Sequence, residues 1–237
     1  MPIEMDVGPD VGTMNQIVTT LFGEGSQATD IVILLTILTL LPSILLMLTG
    51  FTRIIIVLSF VRQALAMQQT PPNQVLIGLA LFLTFFVMQP VFAAVYEEAY
   101  VPFMEGEITQ EEFIDNALGP AREFMYSQVF AEDIGFFMAL SGTDVPDDAT
   151  LDDIPTAVLI PAFLTSEIKR AMFIGFFIYL PFIIIDMIVA STLMAMGMMM
   201  LPPAMISLPF KVLLFVMVDG WQLILGALIQ TFHDVPP

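Results

Sequence analysis

Three charges lie inside long apolar stretches of this 237-residue chain: Asp186, Lys211 and Asp219. A charge held at the centre of a bilayer costs about 2.5–3.5 kcal/mol, so each of the three must face protein or water. Lys211 and Asp219 are eight positions apart, about 80° around a helix, so they need not bond each other. Asp186 or another subunit is then the partner to expect. Two chemistries follow: a proton or ion relay through Asp186 and Asp219, or structural ion pairs that fix helix or subunit packing. The second is the simpler expectation. Arg53 belongs to the same set of charges that need burial and pairing. Arg62, nine positions on, points to the opposite face of the same helix, so the two arginines cannot share a partner on that helix. Glu167 and Arg170, at i and i+3, read as an on-helix pair at a water boundary.

The segment MGMMMLPP, Met196 to Pro203, is the most distinctive local feature. Three consecutive methionines, Met198, Met199 and Met200, cannot all face one core. Gly197 before them and Pro202-Pro203 after them argue against a regular helix, which places the triplet in a break between two helices. Methionine is unbranched and polarizable and repacks around changing partners. A ring of such loops from several subunits can seal a pore against ions and still deform around a passing chain. The plainer expectation is a hydrophobic loop that packs against lipid or protein, in a chain with 18 methionines.

Enzyme chemistry has no candidates. There is no HExxH, no Gly-rich phosphate loop, no GxSxG, no cysteine and a single histidine, His233. Asp186 and Asp219 lack the Gly/Tyr surroundings of intramembrane aspartyl proteases. No cofactor or metal site is expected. The six basic residues, Arg53, Arg62, Arg122, Lys169, Arg170 and Lys211, are too few and too scattered for a phosphate-binding stripe, which excludes nucleic acid as a partner.

Composition then sets the solvent. Hydrophobic residues make up 57% of the chain and charged residues 13%, against about 25% charged in ordinary soluble domains. The net charge of -18 is concentrated. Fifteen acids against Arg122 alone fall between Glu97 and Asp153, while 31–52 and 75–95 carry no charge. An acidic, water-exposed middle therefore separates apolar flanks. The acidic opening MPIEMDVGPD does not resemble a secretory n-region, so no cleavable signal is expected in this sequence.

Four regions follow. Residues 1–30 read as an exposed N-terminal arm. Residues 31–95 read as a first apolar helical hairpin: Ile31 to Thr52 is long enough to cross about 30 Å of hydrocarbon, with a kink expected near Leu38 to Pro42, and QQTPPN at 68–73 reverses the chain into Val75 to Val95. Residues 96–160 form the acidic region. Thr109 with Glu112 predicts a capping box, opening a short helix that Gly119 and Pro120 stop. A second helix is predicted from Ala121 to Leu140, ending at Gly142, followed by a solvated acidic loop whose spacing does not fit an EF-hand. Residues 161–237 read as a second apolar hairpin carrying the methionine loop: Ala171 to Leu201, then Ala204 to Phe232. Arg53 and Arg62 put the first turn in the cytoplasm and the acidic region outside, whereas Lys169 and Arg170 then break the positive-inside rule. A simple four-span bundle fits poorly.

The blocks FTRIIIVLSFVRQAL (51–65), PPNQVLIGLALFLTFFVMQPV (71–91), PAFLTSEIKRA (161–171) and IIIDMIVASTLMAMGMMMLPPAMISLPFKVLLFVMVDGW (183–221) resemble the FliP family over roughly residues 30 to 232. The resemblance implies a core component of the protein-export gate at the base of the bacterial flagellum, with close relatives in virulence type III secretion. It implies two long bent helical hairpins, assembled in several copies with FliQ and FliR homologues, near FlhB and FlhA homologues. The resulting cone-like helical complex would be lifted largely out of the bilayer plane of the inner membrane, so that Lys169 and Arg170 need obey no loop rule. The family's methionine constriction maps onto Met198, Met199 and Met200, and its cargo is unfolded export substrates. An ion-coupled transporter using Asp186 and Asp219, and an accessory assembly protein without a pore, are the alternative classes.

Overall fold

The computed structural model describes residues 32, 35–36, 39, 46–67, 69–142, 150–198 and 200–233. The expected N-terminal arm, the expected kink near Leu38 to Pro42, most of the acidic loop after Gly142 and Met199 lie outside the described residues. Those described are mostly helical, with no strand among them. Helix α1 spans Phe51–Ala64, α2 Asn73–Val95 and α3 Val101–Glu105, the last two joined by a π-helical turn at Tyr96–Tyr100. Helices α4 (Gln110–Gln128) and α5 (Ala131–Ser141) follow, within the acid-rich part of the sequence. A 3-10 turn at Leu151–Asp153 leads into α6 (Thr156–Ala195), and α7 (Pro203–Met217) and α8 (Gly220–His233) close the chain.

α1 is the centre of the packing. Its residues Phe51, Ile54, Val57 and Leu58 are buried with Leu76, Ala80 and Val87 of α2, Ala171 of α6, and Leu228 and Phe232 of α8. α6 lies so close to α1 that a Cβ on Gly175 would stand 2.4 Å from the Phe60 ring, which is why a residue without a side chain sits at that crossing. A second cluster, with Met125, Ile134, Met138, Leu159 and Phe163, fixes α4 and α5 against the first half of α6.

α6 has 40 residues. At 1.5 Å per residue it is about 60 Å long, roughly twice a hydrocarbon core. It starts at Thr156, ahead of the apolar run read from Ala171, and passes through Pro161 and Pro181. Only 11% of its most apolar window is buried within the chain, and 28% of the corresponding window of Asn73–Glu105. Those two helices are long and apolar enough to cross a membrane, and α7 with α8 makes a third candidate bent by 65°. So much bare apolar surface needs lipid or other protein against it.

Three expectations are corrected. α4 does not stop at Gly119 and Pro120 but continues to Gln128. Pro120 is itself buried, and the packing of Met125 and Gln128 beyond it outweighs the one backbone bond the proline removes. The helix read from Ala121 to Leu140 is likewise not one helix, because the break falls at Val129 and Phe130, both extended, where the Phe130 N–H donates to Ser166 Oγ at 3.0 Å. Gly142 does end α5, in the left-handed region at φ 72°. The last apolar run is not one helix either: Asp219 adopts φ 50° and α8 leaves α7 at a bend of 65°. Thr109 and Glu112 do make the reciprocal capping box.

Candidate functional site

The methionine segment forms the connection between α6 and α7. α6 ends in a Schellman arrangement: the Met198 N–H donates to the Leu193 carbonyl at 2.9 Å and the Gly197 N–H to the Met194 carbonyl at 3.0 Å. Gly197 occupies the left-handed position at φ 77°, which a side chain would strain. The reversal presents Met198 half exposed and leaves Met200 99% exposed, and α7 begins at Pro203. This is a loop tip, as the Gly and the proline pair require.

Behind the tip, the limbs of the loop are tied together. Lys211 of α7, 2% exposed, donates from Nζ to Asp186 Oδ2 of α6 at 2.6 Å and to the Ala64 carbonyl at the end of α1 at 3.1 Å. Ser207 Oγ donates to Asp186 Oδ1 at 2.5 Å. One carboxylate thus holds α6 to α7, and the lysine holds both to α1. Asp219 is elsewhere, exposed at the α7–α8 bend, without an ion pair among the described residues and with no partner shared with Asp186.

Arg53 lies deeper still, 0% exposed, and all its donors are used. Nε donates to Glu167 Oε2 at 3.0 Å, Nη2 to Gln128 Oε1 at 2.9 Å and also to Glu167 Oε1, and Nη1 to the Thr231 carbonyl and hydroxyl at 3.1 Å each. Its guanidinium stacks 3.9 Å from the centre of the Phe232 ring. Gln128 Nε2 donates onward to the Phe232 carbonyl. Four elements, α1, α4, α6 and α8, therefore meet on one cation. The on-helix reading of Glu167 and Arg170 is overturned: Glu167 is fully buried against Arg53, while Arg170 bonds the Gln128 carbonyl and covers the Phe130 ring. One turn away, Asp133 of α5 pairs with Lys169 and accepts from Ser166 Oγ at 2.7 Å.

Gln128, Asp133, Ser166, Ser207 and Thr231 escaped the sequence reading, and Glu167 was given the wrong partner. Glu167 left a usable signal. It stands four residues after Phe163 and four before Ala171, on the stripe of α6 that faces the core, where an acid demands a buried partner. Among the described residues no group of three or more His, Cys, Asp or Glu could hold a metal ion.

Long, sparsely covered apolar helices knitted by buried ion pairs define a helical protein of membrane location whose bare faces await lipid or partner subunits. The comparisons then specify it. A model of the FliP family matches residues 34–228. The flagellar biosynthetic protein FliP of Pectobacterium carotovorum is 56% identical over 202 residues, covering 85% of this chain and 78% of that protein. Its counterpart in Bacillus subtilis is 54% identical over 207 residues, covering 87% and 93%. That of Borreliella burgdorferi is 53% identical over 206 residues, covering 86% and 80%. The chain belongs to the FliP family, and is thereby a component of flagellar biosynthesis and export.

Proposed function

We propose that the chain is a core subunit of the flagellar type III export gate in the bacterial inner membrane. Several copies, with FliQ and FliR homologues and beside FlhB and FlhA homologues, surround a conduit for unfolded export substrates. The acidic surface of α4 and α5 faces the periplasm. Met198, Met199 and Met200 close the conduit at rest, and Gly197 supplies the turn that presents them.

The observation that carries this reading is the bare tip between α6 and α7. A methionine 99% exposed in a chain of this hydropathy needs a covering partner, and equivalent loops from neighbouring copies provide one. The Asp186, Ser207 and Lys211 contacts give the loop a fixed base, so the soft part is confined to a few residues. No enzymatic step is required of the chain.

The test is ion conductance of the assembled gate. Replacing Met198, Met199 and Met200 together by alanine removes the bulk of the seal and raises leakage severalfold at unchanged assembly. Unchanged conductance with an intact complex refutes the seal. The transporter alternative differs in stoichiometry: it needs Asp186 and Asp219 to form one site within one chain. An accessory protein without a pore would tolerate every change between 196 and 203. The mass of the purified complex separates a ring of copies from either.

A further inference from the structure

The elbow between α7 and α8 carries an acid whose charge its own turn does not use. α7 ends at Met217; the Val218 N–H donates to the Leu214 carbonyl at 3.1 Å and the Asp219 N–H to the Val216 carbonyl at 3.2 Å. Asp219 takes φ 50°, and its carbonyl accepts from the Leu223 N–H at 3.1 Å as α8 departs at a bend of 65°. Gly220 follows because a Cβ there would stand 2.4 Å from the Phe215 ring. All of these bonds are made by the backbone. The left-handed conformation suits glycine best and tolerates asparagine as well as aspartate, so the turn gives no reason for a charge. The Asp219 carboxylate is exposed and takes neither a hydrogen bond nor an ion pair from a described residue.

Many acids between Glu97 and Asp153 also lack an ion pair, but they stand in an acid-rich stretch. From 168 to 233 the only acids are Asp186, already bonded by Ser207 and Lys211, and Asp219. Around Asp219 the surface is apolar: Val216 is 69% exposed, Met217 75% and Leu223 62%. Such a patch calls for cover. Cover that removes water from the patch removes it from the carboxylate too, and a carboxylate left without a counter-charge under an apolar partner is costly. Hydrocarbon offers no counter-charge, so the cover is protein that brings a cation. The chain's own cations are committed. Arg53, Lys169 and Lys211 have ion pairs. Arg62, Arg122 and Arg170 have none with a described residue, but each is held by hydrogen bonds within its own chain, to Asn73, to Thr156 and to the Gln128 carbonyl respectively. A second copy therefore has no uncommitted cation to offer. We propose that the elbow docks an apolar helix of a different subunit, and that a lysine or arginine on that helix pairs with Asp219. The inference rests on the reading of the chain as a gate subunit assembled with other membrane chains.

The detergent-purified complex tests it. Asp219→Asn keeps a residue suited to the turn and removes the charge, and Asp219→Gly relaxes the turn; an unchanged far-UV circular dichroism spectrum verifies that both fold. Each is expected to lower retention of the partner subunit at physiological salt by about tenfold or more. A photocrosslinker at Gln222, exposed one turn along α8, is expected to join a peptide of another subunit that contains a lysine or arginine. Changing that residue to aspartate in an Asp219→Lys background is expected to restore retention. Unchanged retention in Asp219→Asn overturns the proposal, as does full retention in Asp219→Gly, since a role confined to the turn would spare the glycine variant. A crosslink to a second copy or to lipid alone also overturns it. An unsubstituted chain that copurifies with no other subunit refutes the gate reading itself, and the proposal with it.

Discussion

Replacing Arg53 by methionine removes five donated bonds and a ring contact from a site without solvent. The larger effect is on what remains: Glu167, 0% exposed, loses its counter-charge, and Gln128 and Thr231 lose their donor. Breaking one side of a buried ion pair costs about 3–5 kcal/mol. The amide and hydroxyl acceptors add about 1 kcal/mol each where no water reaches them. A loss of about 5 kcal/mol is a third or more of the 5–15 kcal/mol that holds a typical fold together. At roughly 2–4 °C per kcal/mol for a chain of this size, the melting temperature falls by about 10–20 °C. The informative experiment is the double variant Arg53→Met with Glu167→Leu. A packed apolar pair can replace a buried ion pair at little cost. The double variant should therefore recover about 3 kcal/mol relative to Arg53→Met alone, leaving the unpaired Gln128 and Thr231 as the residue of the effect. Thermal melts of the detergent-solubilised protein, followed by far-UV circular dichroism, measure all three. If Arg53→Met lowers stability by less than about 1 kcal/mol, or the double variant is no better than the single, the reasoning from buried charge is wrong.

Three further outcomes follow from local geometry. Ala66 sits at φ 56° in the Schellman position that ends α1, where the Met67 N–H reaches the Arg62 carbonyl, so Ala66→Gly should stabilise by about 0.5–1 kcal/mol, read as a higher melting temperature. Gly175→Ala drives a Cβ into the Phe60 ring and should cost about 1–3 kcal/mol; Phe60→Leu in the same chain should restore part of it, and additivity of the two changes would refute the clash. The carboxyls of Glu112 and Asp153 are held below their ordinary range by the backbone N–H and hydroxyl of Thr109 and Thr150. Depressed carboxyl values stabilise the folded state above the unfolded-state value, about 4, and lose that contribution as pH falls through the lower folded value. Glu112→Ala should therefore differ from the parent in amide-exchange protection of the first turn of α4 at pH 7, and the difference should vanish in acid.

Elements whose signal is local were readable in advance. The capping box at Thr109, the turn at QQTPPN, the left-handed stop at Gly142 and the break at Gly197 all depend on a few adjacent residues, and all occur. Elements decided by distant packing were not. Pro120 looks like a stop until the buried face of α4 beyond it is known, whereas the bend at Asp219 did leave a local signal, the Asp219-Gly220 pair after β-branched Val218, which the long apolar run around it overrode. The charges divide the same way. Asp186 and Lys211 stood out because they interrupt apolar runs, and they bond each other. Glu167 hid beside Lys169 and Arg170, where short-range pairing offered an answer that burial overrides.

The bonds around Arg53 also impose an order of synthesis. Glu167 follows it by 114 residues and Thr231 by 178. At about 5–20 residues per second, the arginine exists for roughly 10–35 s before Thr231 is made. Throughout that interval its guanidinium has to be kept where water or headgroup oxygens can reach it, because hydrocarbon alone would expel it. α1 can therefore complete its packing around Arg53 only after the C-terminal helix has been made, which makes the burial of this cation one of the last events in the folding of the chain.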